Sequence, residues 1–368
     1  MSRYLPYEPD QVYLLPPDLA EVLGSDHLAL FLHRLLKKVS MQGFYAAYSE
    51  EGGATYAPEM MLRVWLYAYT QGITSSRKLE RRIREDLGFR YLAGGAQPDY
   101  WALNQFRRRH RKALNDVFTQ VVEAARERGL GRLGKVAIDA TRVKASASRY
   151  RVDSEEQLRR EREAAMPQRL EKLQKSGLKK LSRTDGEARF QKVRSGFDLA
   201  YTADIAVSED QQIVAQRLTQ QSSDNASLVP MVAEVKRQCG GTPRVVLADA
   251  GFYSYDNLEA MRQNKIDAYI PDPRLARELN TGKRCRNQGV GPIRHPEGRK
   301  MQHKLRSPAG RMMYGKRKAL VEPVFGVLKE QRGMRQFRMR GLHNVAIEFT
   351  LACIAYNLTR MHQVDRTA

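Results

Sequence analysis

Cysteine is scarce in this sequence, and the few cysteines stand apart. The chain has 368 residues and three cysteines, Cys239, Cys285 and Cys353, with no C-x-x-C pair. This usage excludes a disulfide framework and a cysteine-rich zinc site, and it fits a reducing cytosol. No segment reaches 18 consecutive apolar residues, and the N-terminal stretch holds acids and prolines where a signal peptide needs an apolar run. We therefore expect a cytoplasmic protein that is not directed to a membrane.

Acidic residues are in deficit as well. The sequence has 41 Asp and Glu against 63 Lys and Arg, which gives a formal net charge of +22. Such an excess favours a polyanionic partner, with nucleic acid ahead of an anionic membrane surface. A basic globular protein without a special partner is the alternative that charge alone leaves open. The length allows about two domains of roughly 150 residues each.

Residues 1 to about 130 are predicted to form a helical domain. One helix is led by Pro58 and stops at Gly72, and a second begins at residues 74–76 and ends at Gly88. A third helix follows Asp99, and a fourth closes the region at Gly129.

The third helix is basic on its predicted outer face. Its predicted inner positions are Trp101, Leu103 and Phe106. Its predicted outer positions are all basic: Arg107, Arg108, Arg109, Arg111 and Lys112. The second helix also carries five basic residues opposite its apolar stripe. A helix, a turn and a basic helix outline a DNA-reading unit, although an ordinary solvated helix face would also explain the arginines.

From residue 131 to 368 the apolar period changes, which predicts a second domain built on a sheet. Five short runs rich in β-branched and apolar residues predict strands, at 135–145, 197–207, 211–220, 244–252 and 267–271. Helical patterns at 228–238 and 255–265 separate the last three runs. The predicted class is α+β or α/β, with a mixed sheet whose element order matches a ribonuclease H-like fold.

Two segments interrupt this alternation. Residues 151–193 are mostly charged or helix-forming and are predicted to form a helical insertion. The insertion could be a linker or an arm that wraps DNA or a partner subunit, and the sequence leaves the choice open. Residues 272–310 are polar, basic and glycine-bearing, and are predicted to form a loop.

Two aspartates stand in or at the end of predicted strands. Asp139 lies in the first strand, and Asp249 ends the fourth, where Gly251 allows a sharp turn. Buried charges are costly unless they are paired or bind metal, so these aspartates indicate a shared cation. A turn-forming or helix-capping role is the competing explanation for each of them.

A third acid lies in a predicted helix that is otherwise strongly basic. Glu322 has Lys318 four residues before it and Lys329 seven residues after it, which places all three near one face of a regular helix. From 283 to 340 there are 17 Lys and Arg against three Asp and Glu. This density indicates a carboxylate set in a phosphate-binding surface.

Taken in order, these motifs resemble the DDE transposases of bacterial insertion sequences. The resemblance rests on the aspartate of the first strand, D-A-G-F after the fourth, Y-x-x-R, E-P-x-F-G, and a lysine seven residues after the glutamate. It spans nearly the whole chain, including the closing segment with Arg335, Phe337, Arg340 and Gly341.

The resemblance implies roles for individual residues. The catalytic and metal-binding triad of the family falls on Asp139, Asp249 and Glu322. The residues that grip DNA at the transposon end fall on Tyr314, Arg317 and Lys329. Four residues separate Arg317 from Glu322, where the commonest signature has three, which leaves open whether Arg317 or Lys318 holds the place of the arginine.

The resemblance also implies a metal and partners. Oxygen ligands without a cysteine or histidine cluster select two Mg²⁺ or Mn²⁺ ions. The implied partners are double-stranded DNA, as transposon ends and target, and a second copy of the chain in the synaptic complex, associated with the nucleoid. Two other functions stay open: a ribonuclease H-like nuclease, and a transposase-derived DNA-binding protein without catalysis.

Overall fold

The structure is a computed structural model that describes residues 18–48, 55–160, 166–193, 196–282, 293 and 295–367. Within these ranges, eight helices precede the sheet: α1 Leu19–Leu23, α2 Leu28–Leu36, α3 Gln42–Tyr45, α4 Pro58–Thr70, α5 Ser76–Glu85, α6 Leu87–Ala93, α7 Tyr100–Arg109 and α8 Arg111–Glu127. The predicted helical region is therefore observed.

Some details of this region differ from the prediction. The single helix expected up to Gly88 is broken at Asp86, whose extended backbone ends α5 and whose side chain accepts a hydrogen bond from the Phe89 N–H of α6. On α7, Trp101 is 62% exposed, whereas it was expected inside. Asp99 caps α7 as predicted, by accepting a hydrogen bond from the Ala102 N–H at 2.7 Å.

All five predicted strands are present. They are β1 Lys135–Lys144, β5 Gly196–Ser208, β6 Ile213–Thr219, β7 Val245–Ala248 and β8 Asp267–Tyr269. Strand β1 is antiparallel to β5 and parallel to β7, and β7 is parallel to β8. The predicted helices are α11 Leu228–Cys239 and α12 Tyr255–Gln263. The prediction of a mixed, ribonuclease H-like sheet is confirmed.

The insertion at 151–193 is only partly helical. It contains β2 Val152–Ser154, α9 Glu155–Arg160, α10 Met166–Ser176, β3 Lys180–Ser182 and β4 Arg189–Val193. Strands β2 and β3 pair with each other, and β4 pairs with the beginning of β5 in the main sheet. The buried carboxylate of Asp153 accepts hydrogen bonds from Arg169 and Arg183, so part of the charge of the insertion holds it together.

The prediction of a loop at 272–310 is wrong for most of the segment. The structure has α13 Pro273–Thr281 and α14 Pro296–Arg306, followed by α15 Pro308–Gly326; residues 283–292 and 294 lie outside the described ranges. Each of these helices has proline at its first position, where the missing N–H costs nothing. The polar composition concealed these start signals.

The C-terminal part of the described chain links the two predicted domains. A π-helical turn at Val327–Gln331 follows α15, and α16 spans Leu342–Thr367. Helix α16 packs against α4 and α8 and also against β6, where the Asn357 amide bonds to both backbone groups of Ile213 at 2.9 and 2.8 Å. One hydrophobic core therefore runs from the helical region into the sheet. None of the described helices is long and apolar enough to cross a membrane.

Candidate active site

Asp139 and Asp249 lie next to each other at the same end of two parallel strands. The register of β1 and β7 pairs Ile138 with Ala248, so the two aspartates follow at the same level. Side chains at paired positions of neighbouring strands project from the same face of a sheet. The sequence prediction that these strands neighbour each other is therefore confirmed.

The backbone near each aspartate fixes its carboxylate. The Ala140 N–H donates to Asp139 Oδ1 at 2.8 Å, and the Gly251 N–H donates to Asp249 Oδ1 at 2.8 Å. A Cβ atom on Gly251 would lie 3.0 Å from Asp249 Oδ1 and 3.0 Å from Asp224 Oδ2. A side chain at this position would therefore crowd the two carboxylates that approach this backbone closely.

Arg317 of α15 is the cation that contacts this pair. Its Nη1 lies 2.8 Å from Asp139 Oδ2, and both side chains are largely buried. Burial raises the pKa of Asp139 to about 6; Arg317 opposes this shift and nearby Asp249 adds to it. Tyr314, one turn earlier on α15, is also buried, and burial raises its pKa. One guanidinium therefore compensates the charge of Asp139 only in part.

Lys329 approaches the same strand from the π-helical turn. Its Nζ donates a hydrogen bond to Oγ1 of Thr141, two residues after Asp139 on β1. Residues two apart on a strand share a face, so Lys329 and Arg317 lie on the side of the sheet that carries Asp139. Burial lowers the pKa of Lys329.

Glu322 is not beside the aspartates in this structure. Its side chain is exposed, while Arg317, Val321 and Val324 form the buried row of α15. Glu322 is one residue past Val321 and so points about 100° away from that row. Within the described part of the chain, no three His, Cys, Asp or Glu side chains are grouped to hold one metal ion.

The two basic residues of α15 between which the sequence left the choice open have different surroundings. Lys318 is exposed and lines a cleft with Glu278, Arg306 and Arg311, whereas Arg317 contacts Asp139. The extra residue before Glu322 therefore does not move Arg317 away from the carboxylate pair, because Arg317 and not Glu322 lies on the buried row.

The three consecutive arginines of α7 have different environments. Arg107 is only 4% exposed, donates hydrogen bonds to the Tyr69 hydroxyl at 3.1 Å and the Thr74 carbonyl at 2.9 Å, and stacks over the Trp65 ring at 4.4 Å. The prediction that Arg107 lies on the outer face is therefore wrong. Arg108 and Arg109 are exposed, as are all five basic residues of α5: Arg77, Lys78, Arg81, Arg82 and Arg84.

Sequence reasoning missed an ion pair beside the aspartates. Arg142 of β1 contacts Asp224 Oδ1 at 2.6 Å and the Ser222 carbonyl at 2.5 Å. Burial raises the pKa of Asp224, and nearby Asp249 adds to that shift. A further carboxylate, Asp204 of β5, is fully buried, and burial raises its pKa to about 6. No local pattern could have revealed the pair of Arg142 with Asp224, because 82 residues separate them.

The carboxylate pair fits a divalent cation. Asp139 and Asp249 supply hard oxygen donors side by side, which are the donors that Mg²⁺ and Mn²⁺ prefer. The two carboxylates lie side by side and Arg317 contacts one of them, so a divalent cation would supply further compensating charge. The described residues thus offer two adjacent ligands and one exposed candidate, Glu322.

Comparison with known protein families identifies the family of this chain. Residues 133–358 match the family described as transposase DDE domain, and residues 18–109 match the transposase domain DUF772. No curated protein matches the chain significantly. The first match covers more than half of the 368 residues and contains both aspartates and Glu322. The chain therefore belongs to the DDE transposases.

Proposed function

We propose that this transposase binds the terminal inverted repeats of an insertion sequence and performs metal-dependent strand cleavage and strand transfer at Asp139 and Asp249. The observation that carries the proposal is the adjacency of these carboxylates on parallel strands, with Arg317 in contact with one of them. Acids alone would repel a DNA backbone. Acids flanked by buried cations on one face of a sheet can hold a metal and a phosphate together.

Two Mg²⁺ or Mn²⁺ ions are the proposed cofactors. Asp139 and Asp249 would hold them, and we propose Glu322 as the third ligand on the strength of the sequence motifs. The chemistry supplied there is activation of a water for in-line attack and stabilisation of the departing 3′ oxygen. Because Glu322 is exposed, its participation requires α15 or the side chain itself to turn toward the aspartates.

The protein's own cations are proposed to position DNA. Arg317 and Lys329 lie on the face that carries Asp139. A DNA phosphate there could replace the Asp139 carboxylate as the partner of the Arg317 guanidinium. Tyr314 borders the same helix face. The exposed cations of α5, with Arg108 and Arg109 of α7, form a second basic surface for the transposon end. A homodimer would bring two such ends together.

The test is cleavage of a plasmid carrying the DNA that flanks the gene, with Mg²⁺ or Mn²⁺. Asp139→Ala, Asp249→Ala and Glu322→Ala should each abolish cleavage and leave DNA binding in a gel-shift assay nearly unchanged. Asp267→Ala and Glu330→Ala are the matched controls, because both acids are exposed. Asp267 lies on β8 of the same sheet, and Glu330 lies in the π-helical turn that follows α15. Cleavage at the wild-type rate in one of the three variants would remove that residue from the site.

One alternative keeps a specific observation in its favour. The exposed position of Glu322 is also what a transposase-derived DNA-binding protein without catalysis would show. The same assay separates the two functions. Specific binding of the flanking repeats without cleavage in either metal would establish the binding protein, and metal-dependent cleavage would exclude it.

A further inference from the structure

A basic, aromatic groove runs between the insertion and the edge of the sheet. It has a volume of about 850 Å³, and the groove residues that matter here are Lys179, Lys180, Arg189, Phe190 and Phe197. Phe197 is 66% exposed, and the Lys180 ammonium lies 5.9 Å from the centre of the Phe190 ring. Among the described residues that line the groove, none is acidic. An exposed aromatic ring beside unopposed cations suits a ligand with both flat rings and negative charge.

The cations of this groove differ from the other cations of the insertion. Arg169 and Arg183 bind the buried Asp153, and Lys175 pairs with Glu171 at 2.5 Å. Within the described ranges, Lys179 and Lys180 have no acidic partner. Three cations of the insertion are therefore paired with acids inside it, whereas, in the part of the chain that the structure describes, the two lysines that line the groove are not.

The opposite wall of the groove is a fixed loop. The carbonyls of Gln220, Gln221 and Ser222 accept hydrogen bonds from the sheet: from Gln191 Nε2 at 3.4 Å, Thr202 Oγ1 at 2.5 Å and Arg142 Nη2 at 2.5 Å. Because three successive carbonyls are held by the sheet, the side chains of this loop line the groove in a defined arrangement.

The Arg142 guanidinium, which binds the Ser222 carbonyl of this loop, also contacts the neighbourhood of the carboxylate pair. Arg142 also binds Asp224, whose other oxygen lies close to Gly251 in the turn after Asp249. Through these contacts the loop that walls the groove is linked to the turn that carries Asp249.

We propose that this groove binds a single DNA strand next to the cleavage site, with an unpaired base stacked on Phe197 and phosphates on Lys179 and Lys180. The proposal rests on the proposed function and deepens it, because it assigns a second DNA segment to the same site. Only a base with an open face can stack on an aromatic side chain, whereas a duplex offers only phosphates to the lysines. A single strand therefore uses both features of the groove.

The test measures binding of a labelled 12-nucleotide oligothymidylate and a 12-base-pair duplex to the full chain in metal-free buffer. Phe197→Ala should weaken oligothymidylate binding about tenfold and leave duplex binding unchanged. Lys179→Ala with Lys180→Ala should lower the salt-dependence slope for the single strand by roughly 1.4. Lys172→Ala with Lys175→Ala, two exposed lysines of α10, is the matched control and should change neither quantity.

Several results would contradict the proposed single-strand groove. Equal losses from both lysine pairs, or no loss from Phe197→Ala, would show that the single strand binds elsewhere. A Phe197→Trp variant adds a direct signal, because stacking should quench its fluorescence on addition of oligothymidylate, and absence of quenching contradicts the proposal. Full competition by an equally charged oligoglutamate would indicate an acidic peptide site instead. These binding readouts need no cleavage, so they stand apart from any failure of the proposed function.

Discussion

The basic helices and the carboxylate site use cations in opposite ways. On α5 and α7 the cations are numerous and exposed, and their contacts are surface contacts with acids of α5 or with tyrosine rings. At the sheet there are few, but Arg317 and Lys329 are largely withdrawn from solvent and make hydrogen bonds to β1. Arg107 is the exception among the helices, because it is buried as deeply as the cations at the site.

The two regions show that the number of cations on a surface and the fixed position of each cation are separate properties. An exposed cation contributes to a long-range field and can be exchanged for a neighbour at little cost. A buried cation loses hydration and must be compensated by fixed partners, so its position is specific. We therefore expect single substitutions to matter at buried cations, and only combined substitutions to matter at exposed ones.

The strongest test compares neighbours on α15. Arg317→Ala should lower the rate of strand cleavage about a hundredfold or more, because it removes the buried donor that we propose for the reacting phosphate. Lys318→Ala changes an exposed neighbour and should leave the rate within about threefold of wild type. Cleavage rates at saturating Mg²⁺, with thermal melting to confirm folding, measure both. Similar losses in the two variants would erase the distinction between buried and exposed cations.

In the helical region, the same contrast between a buried and an exposed cation can be tested by measuring stability. Arg107→Ala should lower the free energy of unfolding by about 3 kcal/mol, because Tyr69 and Thr74 lose a buried donor and Trp65 loses a stacked cation. Arg108→Ala should change it by less than about 0.5 kcal/mol. Urea unfolding checks both values. A destabilised Arg108 variant would mean that its side chain has structural contacts.

A smaller effect is expected from pH at the start of α8. His110 is buried against Phe44 and Phe106, and burial lowers its pKa to about 4. The unfolded chain binds a proton below pH about 6.5 and the folded chain only below about 4, so stability falls as the pH drops through that window. Between pH 7.5 and 5 this contribution is about 2 kcal/mol. Urea unfolding of His110→Gln should show a correspondingly weaker dependence, and an unchanged one would contradict this origin.

The smallest effect is expected for the exposed arginines of α7. Arg108→Ala with Arg109→Ala should reduce the slope of duplex affinity against salt by roughly 1.8, if each side chain neutralises one phosphate. Affinity at moderate salt should fall several-fold, and stability should stay unchanged. Fluorescence anisotropy over a salt series measures the slope. An unaltered slope would show that these arginines form an ordinary solvated helix face.

The sequence was sufficient wherever a local pattern determines the structure. The five strands and the adjacency of Asp139 with Asp249 follow from short apolar runs and from the order of the elements. The contacts of Arg107 could not be predicted, because successive arginines point in directions 100° apart and only the packing of α4 determines which one is buried. The position of Glu322 relative to Lys329 could not be predicted from the sequence either, because the π-helical turn that contains Lys329 ends the regular helical period.

The packing of α16 also orders events during synthesis. At about 5–20 residues per second, α16 emerges roughly 15–55 s after α4, the helix that it covers. Until then the parts of α4, α8 and β6 that α16 covers stay open to chaperones or to a neighbouring nascent chain. A chain truncated before residue 342 would lack this cover. The helical region is thus early in the sequence but late to acquire its native environment.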